Sequence, residues 1–287
     1  MIKFTKMHGL GNDYVYIDCI NQEIYNEQNL AKFVSNRHFG VGADGLILIK
    51  ESKVADFRMQ MFNSDGTEAE ICGNGIRCVG KFIYDKGLSK NETLKIETLA
   101  GIKKLKLNIK DEKVESVKVD MGEPILLPDK IPVEGAKKFK SKDNISFYKL
   151  TLPIDKDIKE LTCVSMGNPH AIDYVNETNG IDIERIGKII EMDKHFPNRV
   201  NVEFIEIIDS SNIKMRVWER GTGETLACGT GACASAVSSF LNGYTKRTVT
   251  VELLGGKLEI DWSKEDNHVY MTGPAKTVFD GVLYINC

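Results

Sequence analysis

Apolar and polar positions along this chain change period in a set order, and that order occurs twice. Residues 57–62 alternate with period two and predict a strand that runs into a polar loop over 63–70. Over 75–84, Ile76, Val79, Phe82 and Ile83 recur at the three-to-four spacing of an amphipathic helix, with Gly87 as its stop. Residues 94–98, 102–107 and 117–121 then read as strands, the last two alternating. The second half predicts the same series: a strand over 213–218, a loop over 221–226, a helix over 232–241 closed by Asn242-Gly243, and strands over 248–254, 257–262 and 269–271. That helix is built on Ala232, Ala234, Ser235, Ala236 and Ser238, a surface small enough for strands to approach closely. A tail strand over 277–285 has no partner in the repeat and is expected to cross back to the first half.

The halves also match residue by residue. Cys72-Gly73-Asn74-Gly75 recurs as Cys228-Gly229-Thr230-Gly231, an offset of 228 − 72 = 156 residues. The same shift carries Arg58-Met59-Gln60-Met61-Phe62 onto Lys214-Met215-Arg216-Val217-Trp218, Glu68 onto Glu224, and Gly11-Asn12 onto Gly167-Asn168. Beyond the cysteines, Ile96-Glu97-Thr98-Leu99-Ala100-Gly101 falls on Val251-Glu252-Leu253-Leu254-Gly255-Gly256, an offset of 251 − 96 = 155. A repeat of this length implies two similar halves about a pseudo-twofold axis. The fold class expected is α+β: two pseudo-symmetric halves, each a curved, antiparallel-rich sheet wrapped around a central helix. Pro124, Pro128 and Pro132, followed by a lysine-rich surface excursion over 136–148, mark the junction. The expected domains are 1–122, joined by the C-terminal strand 276–287, and 123–275, with one active site in the cleft between them.

Composition narrows the class. At 287 residues the chain suits one large or two ordinary domains, and 42% hydrophobic with 28% charged residues is ordinary for a soluble globular protein. A net charge of −3 gives no electrostatic case for nucleic acid or an anionic membrane. No apolar run nears the ~20 residues that span a bilayer, and Met1-Ile2-Lys3-Phe4-Thr5-Lys6 lacks the apolar core of a signal peptide. The reading is a cytoplasmic protein with a small-molecule substrate. Seven cysteines without a CxxC pair or a histidine cluster give no zinc pattern, so no metal is expected and free thiols are. Cys19, Cys78, Cys163 and Cys233 read as small buried hydrophobes, and Cys287 as an exposed terminus.

Each Cys-Gly-X-Gly sits where a loop becomes a helix. Backbone amides there converge on an anion, and the helix N-terminus adds a partial positive charge. The same placement is expected to lower a thiol pKa from about 8.5 towards neutrality. One copy could bind phosphate or merely pack tightly; two in register, each headed by cysteine, favour a paired-thiol site. At disulfide distance such a pair would be a redox switch. Held further apart around a carbon acid, one thiolate removes a proton from one face while the other thiol delivers one to the opposite face. Repulsion between like charges in one desolvated cleft leaves one thiolate and one thiol. The helix starts would hold the substrate carboxylate and the carbanionic charge spreading onto it. No cofactor is needed, and no lysine motif suggests a pyridoxal Schiff base.

At these residues the chain resembles the diaminopimelate epimerases, nearly end to end. The likeness is carried by His8-Gly9-Leu10-Gly11-Asn12-Asp13, Gly40-Val41-Gly42-Ala43-Asp44-Gly45 and Met61-Phe62-Asn63-Ser64-Asp65-Gly66. It continues through Glu70–Cys78 and Gly167-Asn168-Pro169-His170, and closes with Trp218–Thr225 and Ala227–Gly231. The resemblance implies the duplicated fold of that family, no cofactor, a homodimer, and epimerisation of LL-2,6-diaminopimelate to the meso isomer in lysine and peptidoglycan precursor biosynthesis. It makes Cys72 and Cys228 the catalytic pair. Asn12, Asn63, Asn168, Asn201, Glu219 and Arg220 match positions holding the substrate's far end. Gly73, Asn74, Gly229 and Thr230 match the carboxylate cradle, and His170 and Glu219 match groups that tune the cysteines. Arg220 can clamp the distant carboxylate and Glu219 its ammonium. Glu219-Arg220 falls opposite Asn63-Ser64 in the repeat, so recognition is expected to be one-sided.

Without the resemblance, the asparagines read as turn formers, Glu219-Arg220 as a solvated pair, His170 as a structural histidine and Arg37-His38 as a helix-end pair. Some relatives carry glutamine where this chain has Gly45, opposite Asn201 in the repeat. Proline-type racemases of the same fold also use paired cysteines; here Asn74 and Glu219-Arg220 favour a longer, doubly zwitterionic substrate. A dithiol switch and a non-catalytic anion-binding protein complete the alternatives.

Overall fold

The period-two segments form strands and the two Cys-Gly-X-Gly segments start helices in a computed structural model that describes residues 1–155 and 157–284. The chain divides into two units, one made of Met1–Asp120 with the segment from Thr272 onwards, the other of Met121–Met271.

The first unit contains β1 (Ile2–Gly9), β2 (Asn12–Asp18), α1 (Glu27–Ser35), β3 (Gly45–Lys50), β4 (Phe57–Asn63), β5 (Glu68–Ala69), α2 (Gly73–Asp85), β6 (Thr93–Thr98), β7 (Gly101–Lys110) and β8 (Lys113–Asp120), with β19 (Lys276–Leu283). The strands pair in the order β19-β1-β2-β3-β4-β6-β7-β8. Pairing is antiparallel except at β2–β3 and β4–β6. Parallel neighbours need a crossover rather than a hairpin, and α1 and α2 are those crossovers. Leu46 and Leu48 face α1, in a core with Leu30, Ala31 and Val34. Ile47, on the opposite face of the same strand, reaches α2, so β3 is covered on both sides and reads as the continuous apolar run Leu46–Ile49. Helix α2 packs against β1 and β2 and also against β7 and β8, near opposite ends of the strand order, so the sheet curls round it.

The second unit repeats this plan with β9 (Lys137–Lys140), β10 (Ser146–Ile154), β11 (Asp157–Ser165), β12 (Pro169–Tyr174), α3 (Ile183–Glu191), β13 (Asn201–Asp209), β14 (Asn212–Glu219), β15 (Gly223–Thr225), α4 (Gly229–Leu241), β16 (Thr248–Leu253) and β17 (Gly256–Trp262). In β18 (Val269–Pro274) the chain passes back to the first unit. The pairing order β9-β10-β11-β12-β13-β14-β16-β17 again has two parallel joints, β12–β13 and β14–β16. The repeat survives at the level of register. Tyr14 pairs with Gly45 as His170 pairs with Asn201, and Arg58 pairs with Glu97 as Lys214 pairs with Glu252. Glu224, repeated from Glu68, forms a two-pronged ion pair with Arg216 across the β14–β15 hairpin, at 2.7 and 3.0 Å.

Several expectations need correction. The polar loops over 63–70 and 221–226 contain the short strands β5 and β15, because their turns fold back on the preceding strand. Both helices begin at the glycine directly after the cysteine, two or three residues earlier than their apolar spacing begins. The lysine-rich excursion is largely a hairpin: β9 pairs with β10, and Phe139 packs on Phe147 at 6.0 Å with Lys149 above its ring. The tail strand β19 does have a counterpart, since β19 pairs with β1 as β10 pairs with β11. Cys78, Cys163 and Cys233 are fully buried, but Cys19 is only partly so. Cys287 and the end of the expected tail strand lie outside the described residues.

Gly45 is fixed by packing. A Cβ there would lie 2.1 Å from the Phe62 carbonyl oxygen and 2.8 Å from the Tyr14 ring. A glutamine at this position therefore needs a different course for the facing backbone. Gly45→Ala is expected to destabilise the protein by roughly 1–3 kcal/mol through overpacking, read as a clear fall in melting temperature.

Candidate active site

Cys72 and Cys228 occupy the same local geometry in their two units. Each lies in extended backbone, φ −126° and ψ 118° for Cys72, φ −114° and ψ 112° for Cys228, and each is the residue before a helix. The Gly75 N–H donates to Cys72 Sγ at 3.3 Å, and the Gly231 N–H donates to Cys228 Sγ at 3.4 Å. Oxygen side chains cap helices better than sulfur, so two helices that begin this way give up capping strength for a thiol. The first amides of each helix, at Gly73 and Asn74 and at Gly229 and Thr230, have no acceptor within the helix.

Asn12 stands beside Cys72, whose Sγ donates to its Oδ1 at 3.0 Å. The orientation of that amide is set from behind: Nδ2 donates to Asp44 at 2.8 Å, which turns the carbonyl oxygen towards the sulfur. Asp44 and Asp13 share Arg37, at 2.9 and 3.0 Å, and Lys6 also pairs with Asp13. Burial pushes the Asp13 carboxyl up, but Lys6 and Arg37 outweigh it and hold the group below its ordinary value. Arg37 is thus part of the support for Asn12, a role that a helix-end position did not reveal. Asn74 is buried, and its Oδ1 accepts from Arg77 at 3.0 Å. Arg77, fully buried, also donates to the Gly73 and Pro274 carbonyls. Asn63 donates to Thr67 at 3.0 Å across the β4–β5 turn.

The second unit is more acidic around its sulfur. Glu219 accepts from the Thr225 hydroxyl. His170 is fully buried, with Nε2 3.0 Å from Asn168 Oδ1 and Nδ1 2.6 Å from Glu203. Asn201 donates to the Pro169 carbonyl at 2.9 Å and accepts from the Arg220 N–H at 3.0 Å, so it ties β12 to the end of β14. The Arg220 guanidinium is exposed and donates to the Asn198 carbonyl at 2.9 Å. Thr230 Oγ1 lies 3.5 Å from Cys228 Sγ.

The expectation that a helix start lowers the thiol pKa fails at Cys228. Burial pushes this thiol well above its ordinary value, and the charges of Glu219 and Glu203 push it the same way. The bonds from Thr230 and Gly231 pull against them and are outweighed. Desolvation dominates because Cys228 is only 5% exposed, whereas the helix terminus supplies only a partial charge. The Glu219 carboxyl is also raised, by burial first, with Glu203 adding and Thr225, His170 and Cys228 opposing.

Glu203 was not anticipated. It is a fully buried carboxylate on β13, beside the start of α4. Its trace in the sequence is a charge inside the apolar run Val202-Glu203-Phe204-Ile205, at the repeat position where the first half has Ile47.

A family model described as diaminopimelate epimerase matches residues 4–127 and 162–278. A diaminopimelate epimerase of Methanococcus maripaludis strain C5 is 57% identical over 99% of this chain and 100% of its own. One from Acetivibrio thermocellus is 55% identical over 99% of each chain. Among solved structures, a probable proline racemase from Agrobacterium radiobacter K84 aligns over 100% of this chain and 94% of its own, with a TM-score of 0.70 at 13% identity, a likeness of fold alone.

Alkylation of the substrate-free, reduced protein is expected to report the raised thiol at Cys228. Labelling at Cys228, read by peptide mass spectrometry, stays slow at neutral pH and accelerates only above about pH 9, beyond the ordinary thiol range. The sign follows from a raised pKa: the thiolate that reacts is scarce until pH exceeds it.

Proposed function

The chain belongs to the diaminopimelate epimerase family, and on that premise we propose that it interconverts LL- and meso-2,6-diaminopimelate with Cys72 and Cys228 as an acid–base pair. The observation that carries the reading is the duplicated cap: one thiol at the start of a buried helix in each unit, held by the same N–H contact. In the proposed step a thiolate takes the α-proton from one face of the reacting carbon and becomes a thiol. The opposite thiol gives its proton to the other face and becomes a thiolate, so configuration inverts and the substrate keeps its proton count. The carbanionic charge spreads onto the adjacent carboxylate, where helix-start amides can receive it at no cost in reorganisation.

The reading gives the remaining residues distinct tasks. Gly73, Asn74, Gly229 and Thr230 receive the carboxylate at the reacting centre. Asn12, Asn63, Asn168, Asn201, Glu219 and Arg220 hold the far amino-acid end, and its fixed recognition explains why one centre reacts. The exposed guanidinium of Arg220 suits a carboxylate partner in a two-pronged contact. His170 and Glu219 set the protonation of the neighbouring sulfur. A homodimer that works in the cytoplasm, ahead of lysine and peptidoglycan precursors, belongs to the same proposal.

Proton NMR of LL-diaminopimelate with the reduced protein in D2O tests the reaction. Exchange at one α-centre with appearance of the meso isomer is the expected result; an unchanged substrate would sink the substrate assignment. Cys72→Ser and Cys228→Ser are each expected to lower turnover at least 100-fold, since each direction needs both a base and an acid. Because serine caps a helix at least as well as cysteine, both variants should melt no lower than the parent. Near-normal turnover in either would contradict the pairing.

A further inference from the structure

We propose that Glu203 is a positioning residue for this reaction: its carboxylate keeps the proton on His170 Nδ1 and thereby turns Nε2 towards Asn168. The inference rests on the epimerase reading above and deepens it. Glu203 Oε1 lies 2.6 Å from His170 Nδ1, and both side chains are fully buried. A carboxylate oxygen accepts, so the ring nitrogen that faces it donates, and Nε2 of the neutral ring then accepts from Asn168 once that amide presents Nδ2 rather than Oδ1 to it. A carboxylate behind a histidine is a standard way to choose a tautomer and hold the ring plane. The other carboxylate oxygen, Oε2, is buried and has no hydrogen-bond partner among the described residues.

The first unit supplies the control for that statement. At the positions of His170 and Glu203 it carries Tyr14 and Ile47, and both units pack the same way there. A Cβ on Gly75 would meet Ile47 Cδ1 at 2.8 Å; a Cβ on Gly231 would meet Glu203 Oε1 at 2.6 Å and Cys228 Sγ at 3.3 Å. The helix start therefore needs a side chain at this point but not a charge, since isoleucine fills it in one half. In the other half the charge is retained despite its desolvation cost. The imidazole N–H and the positive end of α4 offset that cost. Gly231 has a matching reason to lack a side chain, because any Cβ would displace the carboxylate.

The groups around this pair come from several elements. Asn168 precedes β12, Glu219 ends β14, Thr225 ends β15, and Cys228 and Thr230 begin α4. Glu203 reaches the site through His170 and the start of α4, so its effect on turnover passes through the ring rather than through substrate contact.

The test uses the reduced, substrate-free protein labelled with nitrogen-15 in its five histidines, with Glu203→Gln and Glu203→Ile as variants. The wild type is expected to show His170 protonated at Nδ1. In Glu203→Gln, whose amide can donate or accept, the ring nitrogen shifts should move towards the other tautomer. Turnover should fall about 100-fold in both variants, with KM within about threefold of the parent and no fall in melting temperature for Glu203→Ile. An unprotonated Nδ1 in the wild type overturns the proposal before any variant is made. So does turnover within about threefold of the parent in a folded variant, or lost turnover with unchanged His170 shifts in Glu203→Gln. Because the shifts are read without substrate, a wild type that fails to epimerise diaminopimelate would reject the assigned reaction while leaving the tautomer result separately legible.

Discussion

A thiol that accepts the third amide of a helix must sit in extended backbone directly before that helix, and this requirement organises each unit. It is met by a strand that ends in a hairpin and by a glycine three residues after the cysteine, where side chains from the sheet press in. The helix must then return the chain to the sheet beside its starting strand, which makes β4–β6 and β14–β16 parallel. Curling the sheet around the helix buries the helix start, and burial in turn decides the electrostatics of the sulfur. At Cys228 desolvation and two carboxylates outweigh the helix terminus.

The backbone plan is shared between the units, but the chemistry around the sulfur is not. Where the first unit has Tyr14, Ile47 and Asn63, the second has His170, Glu203 and Glu219. The first sulfur is met by an amide oxygen whose direction is imposed by Asp44. The second is met by the Thr230 hydroxyl, and burial with the charges of Glu219 and Glu203 pushes its pKa up. A reaction that inverts one carbon needs similar geometry on its two faces, and a substrate with two amino-acid ends needs something that tells those ends apart. Duplication meets the first need, and the one-sided pair Glu219-Arg220, opposite Asn63-Ser64 in the repeat, is the means proposed for the second.

Much of the fold was legible because its signals are local. Alternation at 57–62 and 213–218, and apolar spacing at Ile76, Val79, Phe82 and Ile83, depend on a few neighbouring residues. The cysteine offset aligned the two halves, and the structure pairs their equivalent positions in the same register, although β1–β3 and α1 and their counterparts β11–β13 and α3 were not read from the sequence. What was missed depends on contacts far apart in sequence. The hairpin at Lys137–Lys140 is stabilised by rings and a lysine from β10, not by its own composition. Arg37 looks like a helix end until Asp13 and Asp44 arrive from other elements. Glu203 was visible only as a charge within an apolar strand, and its partner lies across a parallel joint. The thiol shift at Cys228 was misjudged because a helix start can be read from sequence and the depth of its burial cannot.

The most direct test of the paired thiols is the isotope content of product formed in the first turnovers in D2O. Enzyme equilibrated in D2O carries deuterium on its protonated sulfur, while the proton removed from substrate goes to the other sulfur. Two thiols therefore predict meso product fully deuterated at the inverted carbon, while unreacted LL-substrate still carries protium. Product that retains the substrate's own protium at that carbon would mean that one group both removes and returns the proton, and would contradict the two-thiol mechanism.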